Sequence, residues 1–457
     1  NGIGGAGILL DVHSSEILAI VSLPDYDPAE IGEASTEQRF NRTTVGVYEP
    51  GSTFKLFTAA MALEYGTVNI WSGYDASRPI RYGRFEINDF RGRNRWLTLP
   101  EIIAYSSNIA SAHMAMGVGP QRHREFLRQM GMLQRLHVEL PESAVPLAPS
   151  AQNWRDINTM TIGFGHGISV TPLHVANGVA ALANGGILRQ PTLLAVPPGV
   201  EREGTRVISE RNSDIMRRMM RAVVTDGSGR SAEVPGYYVG GKTGTAQKTG
   251  PRGGYLEGKR IAAFVGAFPM HAPRYALYVM VDEPKPNARS QGYATAGWVA
   301  APAAAQVIQR VAPVLGLVPE DPRDPRLVAA STIPLQPRRG QPLPGQPGGP
   351  AVELPPLPLA RQAPRPAQEP PRAPAATPAA PVASAPRPAP PPAGEPRVAP
   401  ARAPEPRPAE PPRPAIIPPG PIAPGSLPPP TPLRVEAPAA QPTRLAARLP
   451  EGGVAPR

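Results

Sequence analysis

Aromatic residues stop at Trp298: over the rest of the 457-residue chain there is no Phe, Tyr or Trp. Roughly two-thirds of the 65 prolines lie beyond Val318. A segment of Pro, Ala and Arg without aromatics buries too little apolar surface to offset the entropy of ordering it. The core must therefore come from residues 1–318, enough for one large domain. Residues 319–457 are expected to be a Pro/Ala/Arg-rich disordered tail.

Charge divides the same way. Of the net +11, the tail carries 16 arginines against 10 acids, leaving +5 for the first part. That surplus suits an anionic surface, but a solvated arginine-rich tail explains it more simply. The chain has no cysteine, which excludes a disulfide framework and a thiolate metal site. It has no run of about 18 apolar residues that would span a membrane. It begins on strand-like sequence without Met, so we expect a longer protein with a preceding anchor or signal segment.

Within residues 1–318, apolar runs at 7–13 and 16–22 read as a hairpin, and three more strands are expected at 237–246, 261–268 and 275–282. Helices are expected between them: 52–65, one capped by Thr98-Leu99-Pro100-Glu101, 109–116, 122–132, one opening at Thr171-Pro172, and 210–224. A last helix spans 296–311. Residues 80–95, dense in Arg, Gly and Asn, read as an exposed hairpin or loop. Strands at both ends with helices between them predict a mixed α+β domain whose sheet joins the first and last segments. No strand–helix alternation supports a doubly wound parallel sheet.

Chemistry concentrates at Pro50-Gly51-Ser52-Thr53-Phe54-Lys55, where a turn opens the helix and Lys55 falls on the same face as Ser52. A serine hydroxyl needs a base, and a neutral lysine amine serves if burial or a second cation lowers its pKa. Such a pair is more often a helix cap and a solvated lysine. Here, however, lysine occurs only at 55, 242, 248, 259 and 285, and arginine cannot act as a base.

Two further pieces complete a set: Ser106-Ser107-Asn108 at a break between helices, and Lys242-Thr243-Gly244-Thr245 on a strand. A second Lys-Thr-Gly, Lys248-Thr249-Gly250, precedes loop-like sequence and is read as a decoy. His166, in Gly163-Phe164-Gly165-His166-Gly167, is read as structural. No G-x-S-x-G, G-K-[ST] or metal-ligand spacing occurs.

In this order, the three pieces resemble the penicillin-binding protein/serine β-lactamase superfamily. The text around them is similar to class B penicillin-binding proteins of the cell-division type (penicillin-binding protein 3), over about residues 1–318. The resemblance implies a central antiparallel sheet flanked by helices and no cofactor or metal. It implies a peptidoglycan D,D-transpeptidase with Ser52 as nucleophile, Lys55 as base, Ser106 as proton relay and Asn108 holding Lys55 and the substrate. Lys242 would supply a second charge, and Thr243 and Thr245 would bind the terminal carboxylate. Gly244 would clear space for the ligand backbone, with the N–H groups of Ser52 and Thr245 as oxyanion hole.

The implied partners are D-Ala-D-Ala stem peptides, β-lactams and division proteins including a lipid II glycosyltransferase, with no nucleic acid. The implied location is the inner membrane, with the catalytic domain periplasmic. A D,D-carboxypeptidase, a serine β-lactamase and a non-catalytic sensor or scaffold are the alternatives.

Overall fold

In a computed structural model, residues 3–250 and 254–337 are described. Five strands form the main sheet: β1 (Gly4–Asp11), β2 (Ile17–Leu23), β3 (Gly240–Thr249), β4 (Tyr255–Phe268) and β5 (Tyr275–Asp282). Their order is β2-β1-β5-β4-β3, with every neighbouring pair antiparallel. The first hairpin thus pairs with the last strand (Leu9 with Leu277), as the sequence led us to expect. β3 lies at one edge, its outer side free of a strand partner.

Both faces of the sheet are covered, which is why its strands read as near-continuous apolar runs. Ile8, Leu10, Ala263 and Val265 face one core, and Leu9, Ala262 and Phe264 the other. The larger core is built by helices α1 (Lys55–Glu64), α2 (Leu99–Tyr105), α3 (Asn108–Val118), α4 (Pro120–Gln129), α5 (Asp156–Ile162), α6 (Pro172–Ala183) and α7 (Glu210–Thr225). All twelve residues of α6 are buried, and its start follows the sequence signal: Thr171 Oγ1 accepts from the His174 N–H at 3.3 Å, and Pro172 needs no donor. On the opposite face lies α8 (Ala300–Val314), which seats Ala300, Ala301, Ala304, Ile308 and Ala312 at helical spacing.

Beyond Val318, where we expected packing to end, the chain continues across the domain. Tyr238 Oη donates to Asp321 O at 2.7 Å, and α9 (Pro325–Ser331) follows. Arg218 bonds Ala329 O and Thr332 O, Thr98 Oγ1 bonds Leu335 O, and Gln336 bonds Glu101. Backbone carbonyls make most of these contacts, so they leave no apolar signature in the sequence. The rest of the expected tail, 338–457, lies outside the described residues. Among the described residues, no helix is long and apolar enough to cross a membrane.

Candidate active site

The turn that carries Ser52 is a short 3-10 helix, Gly51–Phe54, running into α1 at Lys55. The expected single helix from residue 52 is therefore split, with Ser52 in the tighter turn. Ser52 keeps the place at a helix start where backbone N–H groups favour negative charge.

Lys55 is completely buried. Its Nζ lies 2.6 Å from Ser106 O, 2.7 Å from Asn108 Oδ1, 3.0 Å from Ser52 Oγ and 3.1 Å from Ser106 Oγ. The two carbonyl oxygens can only accept, so they take the two N–H bonds of a neutral amine. The lone pair is left for a hydroxyl. Burial pushes the Lys55 pKa well below the lysine range, and the Lys242 charge pushes it further, against a smaller opposing effect of Asp89. Burial, then, more than the second cation, favours the neutral form of this amine.

Ser106 sits between α2 and α3 in the left-handed region (φ 64°, ψ 44°), uncommon for a residue with a Cβ. Its Oγ is 2.9 Å from Lys242 Nζ. Lys242, also fully buried, has its pKa lowered by burial to about 7. Hydrogen bonds therefore link Ser52, Lys55, Ser106 and Lys242 in one line.

Asp89 shapes this turn and carries no local signal in the sequence. Its carboxylate accepts from Ser107 Oγ (2.8 Å), Asn108 N (2.5 Å) and Ile109 N (3.0 Å), capping α3 with a negative charge. Asn88 O accepts from Asn108 Nδ2 at 2.9 Å. The segment expected as an exposed hairpin or loop thus also holds Ser107 and Asn108 in place.

The glycine-rich loop 163–167 supports the serine from the other side. Gly51 N donates to Gly165 O at 3.1 Å, and Tyr48 and Val170 exchange two backbone bonds of 3.0 Å. A Cβ on Gly165 (φ +87°) would lie 2.0 Å from Gly51 O. Glu49, 7% exposed, accepts from Gly167 N (2.8 Å) and Tyr255 Oη (3.0 Å). The His166 ring packs between Phe164 and Tyr255. Burial first, and Lys55 second, lower its pKa to about 4.

On β3, Thr243 and Thr245 share one side of the strand. Thr243 Oγ1 is 2.8 Å from Ser228 Oγ, and Thr245 Oγ1 accepts from Ala296 N at 3.0 Å. Gly244 has a reason within the chain itself. A Cβ there would strike Pro50 O (2.7 Å) and Thr53 Cγ2 (2.8 Å), so the position is small to admit the serine's own turn. Lys248 and Thr249 also lie on the strand, since β3 runs past the expected end at Ala246 to Thr249, and the loop-like residues 251–253 lie outside the described residues. Lys248 bonds Asp282 (2.9 Å) and Glu283 (3.0 Å). Burial works to lower its pKa, but those two bonds outweigh it and hold it above the usual value.

These residues border a cleft of about 840 Å³ lined by Ser52, Ser106, Asn108, His166, Thr243 and Thr245. A second cavity, about 750 Å³ around Tyr65, Arg122 and Trp154, contains none of them.

Comparison with known proteins agrees in extent. Residues 5–309 match the family described as "Penicillin binding protein transpeptidase domain". The chain is 43% identical over 322 residues to "Probable peptidoglycan D,D-transpeptidase FtsI" of Caulobacter vibrioides, covering 69% of this chain and 54% of that protein. It is 34% identical over 282 residues to "Peptidoglycan D,D-transpeptidase FtsI" of Escherichia coli, covering 62% and 47%. The chain thus spans about half the length of these curated relatives. Among solved structures, the apo transpeptidase domain of Burkholderia pseudomallei penicillin-binding protein 3 superposes with a TM-score of 0.62 at 31% identity, covering 70% of this chain and 90% of that one. Penicillin-binding protein 3 of Mycobacterium tuberculosis, complexed with aztreonam, gives 0.64 at 27%, covering 70% and 75%.

Proposed function

The chain belongs to the penicillin-binding protein transpeptidase family, and from that premise we propose that it is a peptidoglycan D,D-transpeptidase acting through an acyl-Ser52 intermediate. One observation carries the reading: a buried lysine with its two N–H bonds spoken for and its lone pair beside the Ser52 hydroxyl.

Lys55 takes the Ser52 proton as Oγ attacks the carbonyl carbon of the D-Ala-D-Ala bond. The developing oxyanion meets the N–H groups of Ser52 and Thr245. Lys55 returns the proton through Ser106 to the departing D-alanine nitrogen as the C–N bond breaks. An amine of a neighbouring stem then attacks the ester, its proton passes back along the same line, and Ser52 is released. Thr243 and Thr245 hold the terminal carboxylate, with Lys242 behind them.

Little here activates water against the ester. The cleft's carboxylates are Asp89, committed to capping α3, and Asp226, which accepts from Thr225. His166, at about 4, is too weak a base at neutral pH to compete. A β-lactam, which offers the same acyl bond and carboxylate, therefore acylates Ser52 and stays. Likeness to the division proteins of C. vibrioides and E. coli supports work at the septum, outside the cytoplasmic membrane and beside division proteins such as a lipid II glycosyltransferase.

Mass spectrometry after incubation with penicillin tests this. We expect one adduct mapped to Ser52, absent in Ser52→Ala, and a single stoichiometric loss of penicillin absorbance. An adduct on Ser106 or Ser107, or steady turnover of the drug, would overturn the reading.

A further inference from the structure

Among the described residues four arginines line the cleft, and they are not equivalent. Arg91 lies over Tyr293 and Arg93 over Tyr105, and Arg230 donates to Asp226 O. Arg260 is exposed, and among the described residues its side chain has no ion pair, hydrogen bond or aromatic partner. The acids at that end of the sheet are taken: Asp282 by Lys248 and Arg42, and Glu283 by Lys248 and Lys259. Glu257, three residues earlier on β4, does not line the cleft.

The position of Arg260 follows from strand register. It pairs with Gln247, which also lines the cleft, two residues beyond Thr245. Three places therefore follow one another along the free edge of β3. Thr243 lies beside Ser228, and the turn of Gly51 and Ser52 lies against Thr245 and Ala246, where a Gly51 Cβ would come within 3.2 Å of Thr245 O. Gln247 with Arg260 comes last. From Thr243 to Gln247 is about 13 Å at the rise of a strand. A donor with its carboxylate at the threonines and its reacting carbonyl at Ser52 must send its preceding residue towards Gln247.

We propose that Arg260, with Gln247, forms a subsite that reads a free carboxylate on the donor residue preceding the D-Ala-D-Ala. The site thereby selects anionic stem peptides over their amidated counterparts. This rests on the transpeptidase reading above and names the substrate class that reading leaves open. A guanidinium with no acid of its own, held at the rim of a groove, offers a paired hydrogen bond to a carboxylate and none of that charge to a carboxamide.

The test uses two thioester donors in which mercaptoacetate replaces the terminal D-alanine. They are identical except that the residue before the remaining D-Ala carries a side-chain carboxylate or its carboxamide. The ratio of kcat/KM for thiol release is the readout. The native chain should favour the carboxylate donor about tenfold at low salt, and less as ionic strength rises. Arg260→Gln should bring the ratio close to one, Arg260→Lys should retain part of it, and Arg230→Gln should keep it. Equal use of both donors by the native chain, or an unchanged ratio in Arg260→Gln, overturns the subsite. Penicillin labelling of the native chain separates the two failures. A chain acylated at Ser52 but indifferent to the carboxylate loses only the subsite, and one that is not acylated loses both.

Discussion

Lys242 and Lys248 stand on one strand, six residues and about 20 Å apart, each followed by Thr-Gly, with their side chains on the same face. Their surroundings are opposite. Lys242 is buried with two serine and threonine oxygens and no carboxylate, and burial lowers it to about 7. Lys248 is partly open, meets two carboxylates, and is raised. A lysine that is easily neutralised is suited to the proton transfer proposed for Lys242, while one locked in its charged form ties strands together. The same three letters encode both, and burial at one end of the strand and the acids Asp282 and Glu283 at the other decide between them.

The largest break in this comparison is expected from Lys242→Ala. Losing the cation that faces Ser106 should cut the rate of penicillin acylation a hundredfold or more, about the size of one major proton-transfer or electrostatic contribution. Stopped-flow fluorescence with a labelled penicillin measures it, and a loss below about tenfold would place Lys242 outside the chemistry.

Next is the pH profile. Burial holds the Lys55 pKa well below the usual lysine range, whereas Lys242 is charged below about 7 and neutral above it. If its charge is needed, acylation efficiency falls as pH rises past that value, approaching tenfold per pH unit. Lys242→Arg keeps its charge, so its slower reaction should lack the alkaline limb. An identical limb in that variant would assign the titration to another group.

The smallest catalytic effect belongs to Lys248→Ala. Acylation should stay within about threefold, while Asp282, 2% exposed, is left with Arg42 alone. Urea unfolding should show a loss of about 1–2 kcal/mol, modest because Lys248 retains some exposure. Equal catalytic losses at Lys242 and Lys248 would erase the distinction between them.

Much of this was legible in the chain. Capping signals at Thr98 and Thr171 place two helix starts to the residue, and apolar runs locate the sheet because both its faces are buried. The SxxK, SxN and KTG residues converge where their order suggested. What stayed hidden acts through charge or backbone across long separations. Asp89 caps a helix some twenty residues away, Glu49 reaches Tyr255, and the strap over 319–337 is held mostly through carbonyls. None of these leaves a periodic pattern. Gly244 was noticed for its size, but its packing against Pro50 and Thr53 could not be read from the sequence.

The contact between Gly51 and Gly165 bears on how this protein can vary. At this point the serine's turn meets the glycine loop main chain to main chain, one N–H to one carbonyl, while Glu49 and Thr58 brace the loop on either side. Exchanging residues at the Gly51–Gly165 contact itself offers no graded way to shift Ser52. Any added Cβ at Gly165 collides, and there is no intervening group to trim. Inherited change that weakens an acylating drug while sparing the enzyme is thereby pushed outward, onto the walls and rim of the cleft, where replacing one side chain alters fit by degrees.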